Sequence, residues 1–188
     1  MKKGKQNKKD HWLWQVFIIT FVLAMVFGAV SNTVVNKLNI VVATILLFII
    51  IGIGIAFDLI GMAVASATEA PFHAKAAKKH NGAKESIRLV RNAPMVSNIC
   101  NDVIGDICGI ISGSIGALLS VSISSRFNLD IIIVSLLVSA VIASITVGGK
   151  ALGKKFAINK CTDIIYMAGA VIHYVWPVKQ NVKKDKHN

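Results

Sequence analysis

Four long apolar runs limit what this chain can become: Trp12–Val30, Ile40–Ala65, Met95–Ile123 and Leu129–Val147. Each reaches or approaches the ~20 residues that carry a helix across ~30 Å of hydrocarbon. Hydrophobic residues make up 54% of the chain and charged ones only 16%. A soluble domain of this size could not cover so much apolar surface. A fifth run, Ile164–Trp176, is too short to span. The expectation is an all-α, polytopic membrane protein of four transmembrane helices.

The net charge of +12 points first to nucleic acid, but its placement points elsewhere. Of the 21 Lys and Arg residues, only Lys37 and Arg126 fall in the two loops on one side of the expected spans. The rest lie before the first span, between the second and third, or after the fourth. Short loops rich in Lys and Arg stay cytoplasmic, so both termini are expected there. These residues orient the helices and meet anionic headgroups. No motif or aromatic pattern for nucleic acid accompanies them. A retained first helix is expected rather than a cleaved signal, because its apolar run exceeds the usual length of about 7–15 residues and no A-x-A site follows. Cys100, Cys108 and Cys161 have neither metal spacing nor the number for a disulfide framework.

One stretch, TVGGKALGKKFA (residues 146–157), carries the G-x-x-x-x-G-K skeleton of a phosphate loop. Such a loop needs Ser or Thr after the Lys to ligate Mg²⁺ and a strand before it. Here Lys155 follows, and the preceding segment is a membrane-length apolar run. The segment is expected to be a helix end emerging into the cytoplasm, with no nucleotide-binding domain in the chain.

At about 100° per residue, Gly54, Asp58, Gly61 and Ala65 share one side of the second span. Asn98, Asp102, Gly105, Asp106, Gly109, Gly113, Gly116 and Ser120 share one side of the third. Gly105, Gly109 and Gly113 form two overlapping G-x-x-x-G units, which permit close helix approach. Asp58, Asp102 and Asp106 are costly in or near hydrocarbon, about 2.5–3.5 kcal/mol each at mid-membrane. They either line an ion path or lie hydrated near the interface, paired with Lys150 or Lys154. Asp102 and Asp106 are one turn apart and need a nearby cation to ionise together.

Between the second and third spans, a basic segment reads as two short helices broken at Asn81-Gly82. Ser66-x-x-Glu69 fits a capping box. His73 and His80 read as solvated surface. The last run has start signals at Thr162 and Asp163 and a stop at Pro177. Tyr166, Tyr174 and Trp176 suit an interface, so an amphipathic or partly immersed helix is expected along the cytoplasmic face, with a structural role for His173. No nucleophile–base pair is visible, and no enzymatic activity is expected.

From about Ile40 to Lys184 the order of features resembles the transmembrane domain of the cyclin M and CorB/CorC divalent-cation transporters. The family's first span ends near S-G-S-E-T-A, matched by Ser66-Ala67-Thr68-Glu69-Ala70-Pro71. Its hairpin segment is matched by Gly82-Ala83-Lys84-Glu85-Ser86-Ile87-Arg88-Leu89. The opening of its second span, near I-G-N-N-L-V-N, is matched by Ile99-Cys100-Asn101-Asp102-Val103-Ile104-Gly105. The end of its third, near T-x-x-G-E-x-x-P-K-x-x-A, is matched by residues 146–157 without a gap. The resemblance implies a cytoplasmic helical hairpin, a C-terminal juxtamembrane helix and a homodimer. It also implies residues 39–188 as the domain proper, with residues 1–38 adding a basic tail, an extra span and a short external loop. The implied function is transport of a divalent cation, Mg²⁺ in the first place, across the cell membrane. Ser66, Asn101 and Lys150 align with the family's ion site; Ser97 and Asp102 could join it, and Asp58, Glu69 and Asp106 would serve the ion's path. Hard oxygen ligands suit Mg²⁺.

The departures are specific. Lys150 stands where the family has Glu, Gly153 replaces Pro, Cys100 replaces Gly, and the paired CBS domains have no counterpart in this chain. An ammonium within a few ångströms of a divalent cation is repelled by a few kcal/mol even at an effective dielectric of about 20. Either Asp102 supplies the missing charge, or the chain is a non-transporting regulatory or scaffolding relative in which Lys150 replaces the ion.

Overall fold

A computed structural model describes residues 39–175 and, before them, positions 14, 18, 21, 22, 24–26, 28, 29 and 33, all ten of them helical. Most of the first expected span, and the tail beyond Val175, lie outside the described residues. Those residues form helices and turns, with no strand among them. The order is α1 (Ile40–Ser66), α2 (Ala70–Ala77), α3 (Ala83–Arg91), α4 (Ala93–Asn98), a π-helical stretch (Ile99–Ile104), α5 (Gly105–Phe127), α6 (Ile131–Asn159) and α7 (Cys161–Val175). Among the described residues, three helices are long and apolar enough to cross a membrane: α1, the continuous Ala93–Phe127, and α6.

The span starting at Ala93 opens two residues before the expected Met95, because Pro94 occupies the first helical turn, where its missing N–H costs nothing. At the far end, α6 runs to Asn159, past the expected Val147. Lys150, Lys154 and Lys155 end the apolar run without ending the helix, since lysine is a good helix former. Between α5 and α6, Asn128 takes a left-handed conformation with φ 49°. Asp130 Oδ1 then accepts the Ile132 N–H at 2.7 Å, which caps the start of α6.

The chain divides into two compact units. The first, Met1–Ala56 with Val103–Lys150, has an apolar core in which Ala43, Leu47 and Ile51 of α1 meet Ile115 and Leu119 of α5. These α1 positions recur every four residues, the stripe expected of one helix face. Close approach falls on glycines: a Cβ on Gly54 would lie 3.0 Å from Cys108 Cβ, and Cβ atoms on Gly116 and Gly149 would collide with Ile142 and Ile55. The expected seam holds in part: Gly116 and Ser120 are buried. Gly109 and Gly113 are exposed, with nothing within 4 Å of a Cβ, while the buried positions of α5 are Ser112, Ile115, Gly116, Leu119 and Ser120. Outer surfaces of the spans are apolar; only 6% of the apolar window of α6 is buried.

The second unit, Phe57–Asp102 with Ala151–Asn188, has its own core of Ala63 and Val64 (α1), Phe72 (α2), Val90 (α3) and Ile165 (α7). Helices α2 and α3 form a packed pair, and α7 lies against both. The pair is broken where expected, at Asn81-Gly82. Gly82 has φ +83°, a conformation that costs a side-chain-bearing residue roughly 1–2 kcal/mol. Gly82 also lets α7 come close: a Cβ there would sit 2.6 Å from Ala170 N. Gly169 returns the favour, since its Cβ would lie 2.6 Å from Gly82 O and would strike Ser86 Oγ. That fully buried hydroxyl lies 2.9 Å from Gly82 O and 3.1 Å from Ile165 O and shares its one proton between them.

The capping box expected at Ser66-x-x-Glu69 is not formed. Ser66 belongs to the last turn of α1 and donates to Met62 O at 2.9 Å. Glu69 precedes α2 and makes no side-chain cap, because its carboxylate is held by other partners.

Candidate ion site

Asn101 is the most distinctive polar residue of the membrane helices. It sits inside the π-helical stretch Ile99-Cys100-Asn101-Asp102-Val103-Ile104. A π turn carries one residue more per hydrogen-bonded loop than an α turn, and such turns occur frequently at functional sites. Asn101 Nδ2 donates to Ser97 Oγ, one turn earlier, at 3.3 Å. Its Oδ1 is buried with no hydrogen-bond partner among the described residues. A buried polar atom left unpaired costs about 1–3 kcal/mol, so the position demands a partner or a reason.

Gly61 of α1 makes the room for this amide. A Cβ at residue 61 would collide with Asn101 Oδ1 and lie 2.8 Å from its Cγ and 3.1 Å from Cys100 Cβ. The sequence places Gly61 on the same α1 face as Asp58 and Ala65; its closeness to Asn101 is a tertiary fact no spacing reveals. Cys100 is buried beside it.

The other expected residues divide clearly. Ser97 is brought to Asn101. Ser66 is exposed, its proton committed to Met62 O. Asp102 is exposed in the π stretch, and Asp58 is half-buried in α1. Asp106, exposed in the first turn of α5, and Lys150, half-buried in α6, belong to the other unit. No cluster of three or more His, Cys, Asp or Glu side chains occurs among the described residues. The local donor set is therefore amide and hydroxyl oxygen, with Asp102 as the neighbouring carboxylate in sequence.

Glu69 is engaged as a brace. Its carboxylate accepts from Arg91 Nη2 at 3.0 Å and Nε at 3.4 Å, and from His73 Nε2 at 3.1 Å. The Arg91 hydrogen bond first, and that of His73 next, hold Glu69 below its ordinary carboxylate range, and Arg91 is raised in return. His73, expected as plain solvated surface, is exposed yet bonded through this carboxylate. His80 is exposed, as expected. Arg91 and the partnership of Glu85 with His173, Oε1 to Nδ1 at 2.8 Å, escape sequence reading because their partners lie 22 and 88 residues away.

Comparison with protein-family models, curated proteins and solved structures finds no match to this chain.

Proposed function

We propose that this chain is a divalent-cation transport protein of the cell membrane, with Mg²⁺ as the transported ion. The carrying observation is Asn101 Oδ1: a buried carbonyl oxygen, unpaired among the described residues, in a π turn and facing a glycine. A hard cation is the natural partner of such an oxygen, with Ser97 Oγ one turn away and the charge of Asp102 adjacent. Mg²⁺ keeps several waters when it binds, so a sparse protein ligand set suffices. The resemblance to the cyclin M and CorB/CorC transporters supports the same residues, with Ser66 at the end of α1 completing the set and Asp58, Glu69 and Asp106 along the route. On this reading the chain has four spans, both termini and the α2–α3 hairpin in the cytoplasm, and works as a homodimer. It carries no catalytic machinery.

Titration calorimetry tests the proposal. Purified protein should show Mg²⁺ binding that Asn101→Ala abolishes and that Asp102→Ala weakens; silence up to several millimolar would reject it. One observation favours a second reading. The ammonium of Lys150 occupies the position of a family carboxylate and repels a divalent ion. On that reading the chain is a scaffolding or regulatory relative, and absence of Mg²⁺ heat with an intact fold is its signature.

A further inference from the structure

The α2–α3 hairpin carries more positive charge than its own acids neutralise. Residues 70–92 hold six Lys and Arg and one acid, Glu85. That carboxylate is turned inward to His173 of α7, and the adjoining Glu69 is taken by Arg91 and His73. Lys75 lies over the Tyr166 ring at 3.9 Å. Lys78, Lys79, Lys84 and Arg88 are exposed and make no ion pair among the described residues.

On α3 this charge works against the helix. Lys84 stands in the first turn, where the macrodipole favours an anion, and Lys84 and Arg88 repel each other across one turn. At 100° per residue Lys84, Arg88 and Arg91 fall within about 60° of arc, a stripe about 10 Å long. Arg91 keeps N–H groups beyond those that Glu69 accepts. Ser86, bonded to Ile165 O of α7, and Val90, in the core, point the other way. With α7 along the cytoplasmic face of the membrane, as its sequence leads one to expect, the stripe is turned from the headgroups toward the cytosol.

Anionic lipid therefore does not account for it. Nor do the chain's own ends: MKKGKQNKKD and KQNVKKDKHN are themselves basic, and the same stripe on a second copy would repel it. A stripe so short, with no aromatic side chain on it, gives nucleic acid little to track or stack on. Carboxylates one helical turn apart on an acidic segment match its spacing, and arginine takes them as a fork. We propose that the Lys84–Arg88–Arg91 face of α3 docks an acidic segment of a soluble cytoplasmic protein. The inference rests on the hairpin lying in the cytoplasm and is independent of ion transport.

A short fluorescein-labelled peptide rich in Asp and Glu, added to the full chain in phosphatidylcholine nanodiscs, tests it by anisotropy. Lys84→Glu with Arg88→Glu should weaken binding at least about tenfold. Lys183→Glu with Lys184→Glu, equal in charge change, should weaken it less than about twofold. Equal losses in the two pairs, or no binding by the parent at low salt, overturn the inference. So does a DNA oligonucleotide of matched charge that binds as tightly and loses as much in the stripe variant. Should the glutamate pair fail to fold, Lys84→Gln with Arg88→Gln takes its place. Lipid adducts from a diazirine side chain at position 84, in nanodiscs containing phosphatidylglycerol, would place the stripe on the membrane and overturn the inference alone. Labelling of Lys84→Cys by a membrane-impermeant maleimide in intact cells overturns the cytoplasmic hairpin, and the inference falls with it.

Discussion

His173 Nδ1 and Glu85 Oε1 lie 2.8 Å apart, a contact that ties α7 to α3 across 88 residues of sequence. The Glu85 side chain is 4% exposed, and a carboxylate so placed depends on its donors. His173→Ala should therefore cost about 1–3 kcal/mol. The loss is expected as faster amide exchange in α7 and α3, with the exchange of α5 unchanged.

Two glycines predict opposite outcomes. Gly82→Ala meets both a left-handed backbone and the α7 main chain, and should destabilise by at least about 1–2 kcal/mol. Gly52→Ala, with open space around its Cβ, should be neutral or stabilise by up to about 1 kcal/mol. Paired thermal unfolding in detergent checks both.

Glu69 gives a pH signature. Its carboxyl is held low by Arg91 and then His73, so its contribution is present above the unfolded value of about 4.3. It is lost as pH falls through the lower folded value. Glu69→Gln should unfold earlier than the parent at pH 7, and the gap between their melting temperatures should close in acid. A gap that is constant with pH contradicts the assignment.

Gly61 and Asn101 separate an ion site from a packing defect. Gly61→Ala forces a methyl against the Asn101 amide and should cost about 1–3 kcal/mol as well as Mg²⁺ binding. Asn101→Leu removes the unpaired oxygen, so its stability should be near the parent or above it. The same variant should lose at least tenfold in calorimetric Mg²⁺ affinity.

Lys150→Glu replaces an ammonium by a carboxylate and tests the proposed transport. Cells or proteoliposomes carrying this variant should take up more Mg²⁺ than the parent. Unchanged uptake, with the variant folded, would argue that the ammonium does not limit the ion.

Much of the architecture was legible because apolar run length and turn chemistry are local. The spans at Ile40 and Leu129, the break at Asn81-Gly82 and the terminal helix follow from hydropathy, a left-handed glycine and capping-type residues. What hid from the sequence was pairing and phase. Helical-wheel reasoning carried one face from Asn98 to Ser120 as if each residue advanced 100°, yet the π turn at Ile99–Ile104 advances less per residue. The wheel was wrong across that turn, and within α5 the expected face was right at Gly116 and Ser120, which are buried, and wrong at Gly109 and Gly113, which are exposed. The candidate site was half legible: motif likeness singled out Asn101, and only the tertiary packing supplied Gly61.

The wide turn makes residue number, as much as residue type, a determinant of this helix. Excising one residue between 99 and 104 would restore uniform pitch and swivel everything on one side by about 100°. The register that sets the Asn101 amide against Gly61 would be lost with it. Single-residue deletions here should be far more damaging than most substitutions at the same positions.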